Sequence, residues 1–415
     1  MGDRRELDGD IEVWISDLTR ALEPVLEAAL TGRSLPPAAQ KSLQTRLTEL
    51  TQTHPRVIAF CPNDPEAIAA QIPHWLNLLS AAAPTLQTHP QLKFLFEPPL
   101  RSQTLVTAWR LWIPWAVHLC NLKQQKQYGD RPLIQGVLGV QGTGKTTLGL
   151  VMEILLSHQN QTLCRLSIDD FYLTYAERQQ LRQRDPRLIW RGPPGTHDVD
   201  LAIETLDRLC TASPGDDLAI PQFDKSLHGG QGDRCSPKPI ALSADSSADS
   251  FASKVDVVWF EGWLVGCDPI EDAVFDGPLP DPIVSDSDRQ FARDCNQRLA
   301  NYGPLWDRLD RWAVLVPNNY QHSKHWRQQA ERSRIAAGGQ GLSDTEIDDF
   351  VTYFWRALHP SLFVTHHLTK ESTSESQGDP KPLKRSPNCI IEIQGDRQIG
   401  TIHTPPEGSN PREPL

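Results

Sequence analysis

Apolar residues recur at helical spacing through the first hundred positions: Trp14, Ile15, Leu18, Leu22, Val25 and Leu26, then Leu43 to Leu50, Ile68 to Leu79 and Leu92 to Phe96. This periodicity predicts helices that each bury one face, with a break or kink at Pro73, where the ring removes a backbone donor. A second run, Leu100 to Gln127, carries Val106, Trp109, Leu111, Trp112, Trp115 and Val117 and reads as a buried helix. Its tryptophans could form a ligand cage, but packing of a helix onto a core is the simpler account. Residues 1–130 are expected to form a mainly helical N-terminal extension, with no legible function of its own.

The pattern changes after Pro132. Leu133 to Leu138 is a short apolar run with the length of a buried strand, and Thr146 to Leu156 has the spacing of an amphipathic helix. Further strands are expected over Thr162 to Ile168, Lys254 to Phe260, Trp312 to Val316 and, as the last, Cys389 to Ile393. Helices are expected over Tyr175 to Gln183, Val199 to Cys210, Phe291 to Leu299, His322 to Ile335 and Thr345 to Leu358. Strands alternating with helices predict an α/β core over 131–395, a three-layer sandwich with a mostly parallel central sheet. Ligands of such sheets collect at the carboxyl ends of the strands. Between these elements, Arg191 to Asp198, Ile220 to Lys225 and Gly229 to Arg234 read as active-site loops, and Asp268 to Asp288 as a surface loop. Residues 370–388 read as a flexible linker and 396–415 as a Pro-rich tail.

Composition narrows the partners. Over 415 residues the formal charge is -11, which argues against a broad nucleic-acid-binding surface but leaves room for a few Arg or Lys around a small anionic substrate. Eight cysteines stand singly, without a C-x-x-C pair, so a reduced, cytoplasmic protein without structural zinc is expected. The acidic start argues against a secretory or transit segment. No membrane span is expected, because the most apolar stretch is interrupted well before 18 residues. No protein partner is legible.

The chemistry centres on Gly139-Val140-Gln141-Gly142-Thr143-Gly144-Lys145-Thr146, which satisfies G-x-x-x-x-G-K-[ST]. Between a strand and a helix, such a loop aims backbone N–H groups and a positive helix end at phosphates. Gly139, Gln141, Gly142, Thr143, Gly144, Lys145, Thr146 and Thr147 are the candidate ATP-binding residues. Lys145 would reach the β and γ phosphates, and the Thr146 hydroxyl would complete a magnesium sphere. A tight glycine turn without ligand is the bland alternative.

Phosphoryl transfer then needs a carboxylate to orient the acceptor hydroxyl and take its proton. Asp169 is the first choice and Asp170 the second, against the alternative that the pair merely caps a helix. Glu261, after an apolar run and before Gly262, is placed to face magnesium or a metal-bound water, although Asp is commoner there; a salt bridge is the alternative. Arg191, His197, Lys225 and Arg234, with Tyr172, form a candidate pocket for an anionic acceptor. Arg327, Arg332 and Arg334 lie on a helix that could be a lid, about 318–340, bringing a guanidinium to the transferring phosphate; a solvated, salt-bridged helix fits equally well.

Taken together, G-V-Q-G-T-G-K-T-T, S-I-D-D-F-Y-L-T, R-G-P-P-G-T-H-D, F-D-K-S with G-Q-G-D-R, and V-W-F-E-G-W resemble the plant and cyanobacterial type of D-glycerate 3-kinase. That family is related to phosphoribulokinase, uridine kinase and bacterial pantothenate kinase. The resemblance covers roughly residues 130 to 365 and extends to N-Y-x-x-L-W at 301–306 and W-R-x-Q-A-E at 326–331. It implies magnesium-dependent transfer from ATP to D-glycerate, giving 3-phospho-D-glycerate, on a parallel-sheet P-loop core. It also implies that the family's strand-end acids fall on Asp169 and Glu261, that its arginine lid falls around Arg327 to Arg334, and that the reaction serves photorespiration. Other readings are a kinase for a sugar, nucleoside or pantothenate acceptor, or a regulatory nucleotide switch. No N-K-x-D guanine-reading motif is present.

Overall fold

The computed structural model describes residues 2–404 apart from 32, 34, 63, 126, 214, 242–253, 337–341 and 365–385. In chain order the elements are α1 (Gly2–Leu30), α2 (Pro37–Thr53), α3 (Pro65–Thr88), α4 (Arg101–Thr107), α5 (Ile113–Lys123), β1 (Leu133–Gly139), α6 (Lys145–Ser157) and β2 (Leu163–Ser167). They continue with α7 (Tyr175–Arg184), α8 (Val199–Thr211), β3 (Asp217–Asp224), β4 (Asp233–Ala241), β5 (Val257–Gly262), α9 (Asp286–Leu299), α10 (Gly303–Trp306) and β6 (Arg311–Pro317). The last are α11 (His322–Ala336), α12 (Asp344–Ala357), α13 (Pro360–Phe363), β7 (Cys389–Ile393) and β8 (Ile399–His403). Two compact units result. One gathers the chain up to Gly129 with Thr146–Leu163 and the stretch from Gln398, and the other holds Asp130–Lys145 and Cys164–Arg397.

In the first unit, α3 runs unbroken through Pro73 and Pro84, so of the break or kink expected at Pro73 the break does not occur. A proline inside a helix removes one backbone hydrogen bond, but here Ile68, Ile72, Trp75, Leu76 and Leu79 bury one face, and Asp64 caps the start through the Ala67 N–H at 2.8 Å. The helix expected from Leu100 is present as α4 and α5, continuous through a π-helical turn, Ala108–Trp112. Trp109 and Trp115 are fully buried, and the Trp109 indole donates to the Thr51 hydroxyl at 3.2 Å. These rings are core. From the same turn Arg110, only 5% exposed, donates to the carbonyls of Val57, Ile399 and Gly400 at 2.9, 2.8 and 2.6 Å. Burial lowers its guanidinium to about 10. Two of those carbonyls belong to β8, which follows the strand expected to be last; a five-residue strand with one buried isoleucine, Ile402, leaves little pattern to read.

In the second unit, the strands run in the order β2-β5-β1-β6-β7. β1 is parallel to β5, with Leu133 opposite Val257 and Leu138 opposite Gly262, and to β6, with Gln135 opposite Arg311. β6 is parallel to β7 from Ala313 opposite Cys389. Every residue of β1 and β5 is buried, as a parallel sheet covered by helices requires. The α/β fold with a mostly parallel central sheet is therefore as expected.

Two local readings change. Ile220 to Lys225 and Gly229 to Arg234 are not simple loops: β3 and β4 pair antiparallel, Asp217 opposite Ala241 and Asp224 opposite Asp233, with an irregularity between Ile220 and Gln222. Pro221, Pro237 and Pro239 hide the pattern, since proline cannot donate to a ladder and is tolerated on edges, and each strand of a two-stranded ribbon is an edge. Asp268 to Asp288 also contains the 3-10 turn Asp272–Asp276, which buries Phe275 completely, and the capped start of α9. Residues 365–385, most of the expected linker, lie outside the described residues.

Candidate active site

The phosphate loop follows from β1 ending at Gly139 and α6 starting at Lys145. Gly142 and Gly144 both have φ of +86°, a region costly for other residues. At Gly142 a Cβ would also lie 2.5 Å from Cβ of Trp326, on α11. The Thr143 hydroxyl closes the loop by donating to the Val140 carbonyl at 2.8 Å. The Lys145 ammonium donates to the carbonyls of Gly139 and Val140 at 2.6 and 3.1 Å. Burial lowers its pKa, the charges of Glu261 and Asp169 oppose that, and Lys225 reinforces it. These four charged groups share one electrostatic field. Thr146 and Thr147 follow in the first turn of α6.

Glu261 lies inside β5, 8% exposed, opposite Val137 of β1. The next residue must be glycine, because a Cβ at Gly262 would lie 2.5 Å from Cγ2 of Ile168. That approach brings in the segment carrying Asp169, which is not the end of β2 but a 3-10 turn, Ile168–Phe171. Ser167 caps the turn, and Asp170 accepts from the Ser167 N–H at 3.1 Å. Asp170 thus takes the capping geometry, and burial raises its carboxyl to about 6.

Asp169 faces the other way. Its carboxylate accepts from the Lys225 ammonium at 2.6 Å and the Tyr172 hydroxyl at 2.8 Å. Burial works to raise this carboxyl, but Lys225 and the Tyr172 hydrogen bond outweigh it and hold it well below the usual carboxylate range. Tyr172 stacks on His197 at 4.6 Å between centroids, and an isolated backbone bridge joins the two residues. Arg234 braces this corner, donating to the Tyr172 carbonyl at 2.9 Å and to Asp198 at 2.8 Å. Arg191 donates to the carbonyls of Gly230 and Gln231 at 2.8 and 3.0 Å, and its guanidinium lies 5.5 Å from the Phe223 ring. Asp169, Tyr172, Arg191, His197, Lys225 and Arg234 are therefore brought into one connected group, with Lys145 and Glu261 in its field.

With this geometry in view, likeness to known proteins is informative. No family model matches the chain. It is 30% identical over 309 residues to "D-glycerate 3-kinase, chloroplastic" of Arabidopsis thaliana, across 72% of this chain and 63% of that relative. The chain thus spans somewhat less than two thirds of that protein's length. It is 32% identical over 238 residues to the uncharacterized kinase mug58 of Schizosaccharomyces pombe, across 56% of this chain and 82% of the relative. The chain belongs to this family of P-loop kinases. The probable ATP-dependent kinase TDA10 of Saccharomyces cerevisiae is 28% identical over 254 residues, 58% of this chain and 81% of the relative. Among solved structures, a D-glycerate 3-kinase from Cryptococcus neoformans superposes with a TM-score of 0.55 at 24% identity, over 70% of this chain and 97% of that one. That likeness shows the P-loop kinase fold.

On α11 the candidate lid arginines sit in salt-bridged positions. Arg327 pairs with Glu331 at 2.6 Å and lies over the Phe350 ring at 5.6 Å, and Arg332 pairs with Asp344 at 2.7 Å. The side chain of Arg334 lies outside the described residues. The same helix supplies Trp326, 1% exposed, against Gly142, with its indole donating to the Gly395 carbonyl at 2.8 Å. Sequence reasoning met Trp326 only as part of the W-R-x-Q-A-E block, without a role, and it missed Arg178, which donates to the carbonyls of Gln231 and Gly232 at the tip of the β3–β4 hairpin. Nothing local marks either residue; their partners are distant in sequence.

Proposed function

We propose that the chain transfers the γ-phosphoryl group of ATP to the 3-hydroxyl of D-glycerate, giving 3-phospho-D-glycerate and ADP. The observation that carries this reading is the Asp169 carboxylate, held between Lys225 and Tyr172 in the same field as Lys145 and Glu261. A base for an acceptor hydroxyl is thus electrostatically coupled to the lysine of the phosphate loop, with a cation available for an acid group on the acceptor. The name of the Arabidopsis relative supports glycerate as that acceptor.

In this reading Lys145 leaves the loop carbonyls for the β and γ phosphates of ATP, which the loop N–H groups cradle. Lys225 leaves Asp169 for the acceptor carboxylate, and losing that cation raises the basicity of Asp169 as the hydroxyl arrives. Tyr172 keeps the carboxylate oriented. Glu261 offers a hard oxygen donor that suits magnesium, which would neutralise phosphate charge when bound, and the Thr146 hydroxyl is a donor of the same class. Among the described residues no cluster of three or more acidic, His or Cys side chains forms a cage. Arg327 and Arg334 are proposed to serve the transferring phosphate from α11, which requires Arg327 to exchange Glu331 for it. A cytoplasmic location is proposed with it, on the scattered single cysteines of the sequence. No helix among the described residues is long and apolar enough to cross a membrane.

The test is a panel of acceptors given to purified protein with ATP and magnesium, the product being identified by phosphorus NMR. D-Glycerate should be the preferred acceptor, with phosphate on its 3-oxygen. Preferred turnover of a sugar, nucleoside or pantothenate would replace the substrate, and nucleotide binding without any phosphorylated product would replace the reading.

A further inference from the structure

Tyr302 has no part in the mechanism above, although it belongs to the N-Y-x-x-L-W block at 301–306. It is fully buried and ends a 3-10 turn after α9. Its ring stacks on Trp306 at 5.6 Å between centroids, and the Trp306 indole donates to the Cys267 carbonyl at 3.0 Å. The phenol is thereby clamped in place. Its oxygen accepts from the Gly195 N–H at 3.0 Å, and Nδ1 of His197 stands 2.7 Å away.

A phenol oxygen offers two lone pairs and one proton. Among the described residues Nδ1 is the only acceptor within hydrogen-bond reach of the phenol proton, so with the Gly195 N–H on one lone pair the short contact to Nδ1 carries that proton. Nδ1 is then the acceptor, and the ring proton of the neutral imidazole sits on Nε2. Burial holds His197 down at about 4, so the ring is neutral at physiological pH. Nε2 is buried and has no hydrogen-bond partner among the described residues. Buried donors in folded proteins are almost always satisfied, and an exception calls for a reason. The reason offered by position is the acceptor side, because His197 stacks on Tyr172, whose hydroxyl donates to Asp169.

We propose that Tyr302 is a positioning residue that locks His197 as the Nε2–H imidazole, and that this N–H is the donor held for a carboxylate or hydroxyl oxygen of the bound acceptor. The second half rests on the acceptor-kinase reading, and the first does not. Nε2 is covered by protein, so the acceptor reaches it by displacing a neighbouring side chain. His197 moves no proton in this role; it selects for an oxygen acceptor at one place.

The full chain labelled with 15N-histidine decides the lock, with the His197 signals assigned by comparison with His197→Gln. At pH 7 the wild type should show the neutral Nε2–H tautomer, and Tyr302→Phe should show it mixed with the Nδ1–H form. In steady-state kinetics Tyr302→Phe should raise KM for D-glycerate about tenfold while leaving KM for ATP within about twofold. His197→Ala should do at least as much, and His197→Gln, which restores an N–H at similar reach, should recover part of the loss. An Nδ1–H or imidazolium signal in the wild type at pH 7 overturns the lock, whether or not Tyr302→Phe folds. Equal rises in both KM values, with Gln no better than Ala at 197, overturn the acceptor role. If the wild type turns over a different hydroxyl compound, the glycerate assignment fails while the tautomer spectrum still decides the lock.

Discussion

In the phosphate loop, the groups proposed to face a nucleotide come from consecutive residues, Gly139 to Lys145, and their arrangement is a property of the backbone: two left-handed glycines, one threonine closing the turn and a lysine opening a helix. Around Asp169 the corresponding groups come from separate segments. Tyr172 follows a 3-10 turn, Arg191 and His197 lie on a loop, Lys225 stands at the end of β3 and Arg234 on β4. The first region needs only local conformation. The second exists only when the fold has brought side chains together, and it is held by side-chain pairs such as Lys225 to Asp169 and Arg234 to Asp198. Damage to the first should cost nucleotide binding, and damage to the second should cost acceptor use alone.

That contrast can be broken most sharply at Asp169. Asp169→Asn should lower kcat by about a thousandfold while KM for ATP stays within about threefold; near-normal turnover would remove the base from this position. Gly142→Ala tests the other region. With φ of +86° and Trp326 Cβ at 2.5 Å from the added carbon, it should cost roughly 2–3 kcal/mol in urea unfolding and weaken ATP binding. Unchanged stability would show that the loop does not depend on this glycine. Arg191→Ala should raise KM for D-glycerate about tenfold and spare KM for ATP, because its hydrogen bonds hold the hairpin tip. Equal rises would erase the distinction between the two regions.

The smallest expected effect separates the adjacent carboxylates. Burial raises Asp170 to about 6 in the folded chain, so its contribution to stability is full below the ordinary carboxylate value and is lost as pH rises through about 6. Asp170→Asn lacks that term and keeps an acceptor for the Ser167 N–H. The variant should gain on the order of 1 kcal/mol over wild type at pH 8 and lose that advantage below pH 4, as read from urea midpoints. An advantage independent of pH would mean that the Asp170 carboxyl titrates alike in the folded and the unfolded chain.

Legibility followed the same division. Leu133 to Leu138 and Val199 to Cys210 were readable to within a residue of the observed β1 and α8, because burial writes a strong period into long or fully apolar elements. Pro221, Pro237 and Pro239 concealed the hairpin, and Pro73 suggested a break that buried packing overrides. Asp169 and Asp170 were visible as a pair. Their different orientations, one toward Lys225 and one back to Ser167, come from the 3-10 turn and not from the residue types.

The chain by itself determined a phosphate-binding loop between a strand and a helix, an alternating α/β core and a set of charged residues suited to an anionic acceptor, because local backbone preference and hydrophobic period are written residue by residue. Only the tertiary structure decided which of those charges meet. It set Ile168 against Gly262, Lys225 on Asp169, Trp326 on the glycine loop and Tyr302 on His197. Each of these pairs joins residues remote in sequence, and their approach depends on packing that no local pattern records.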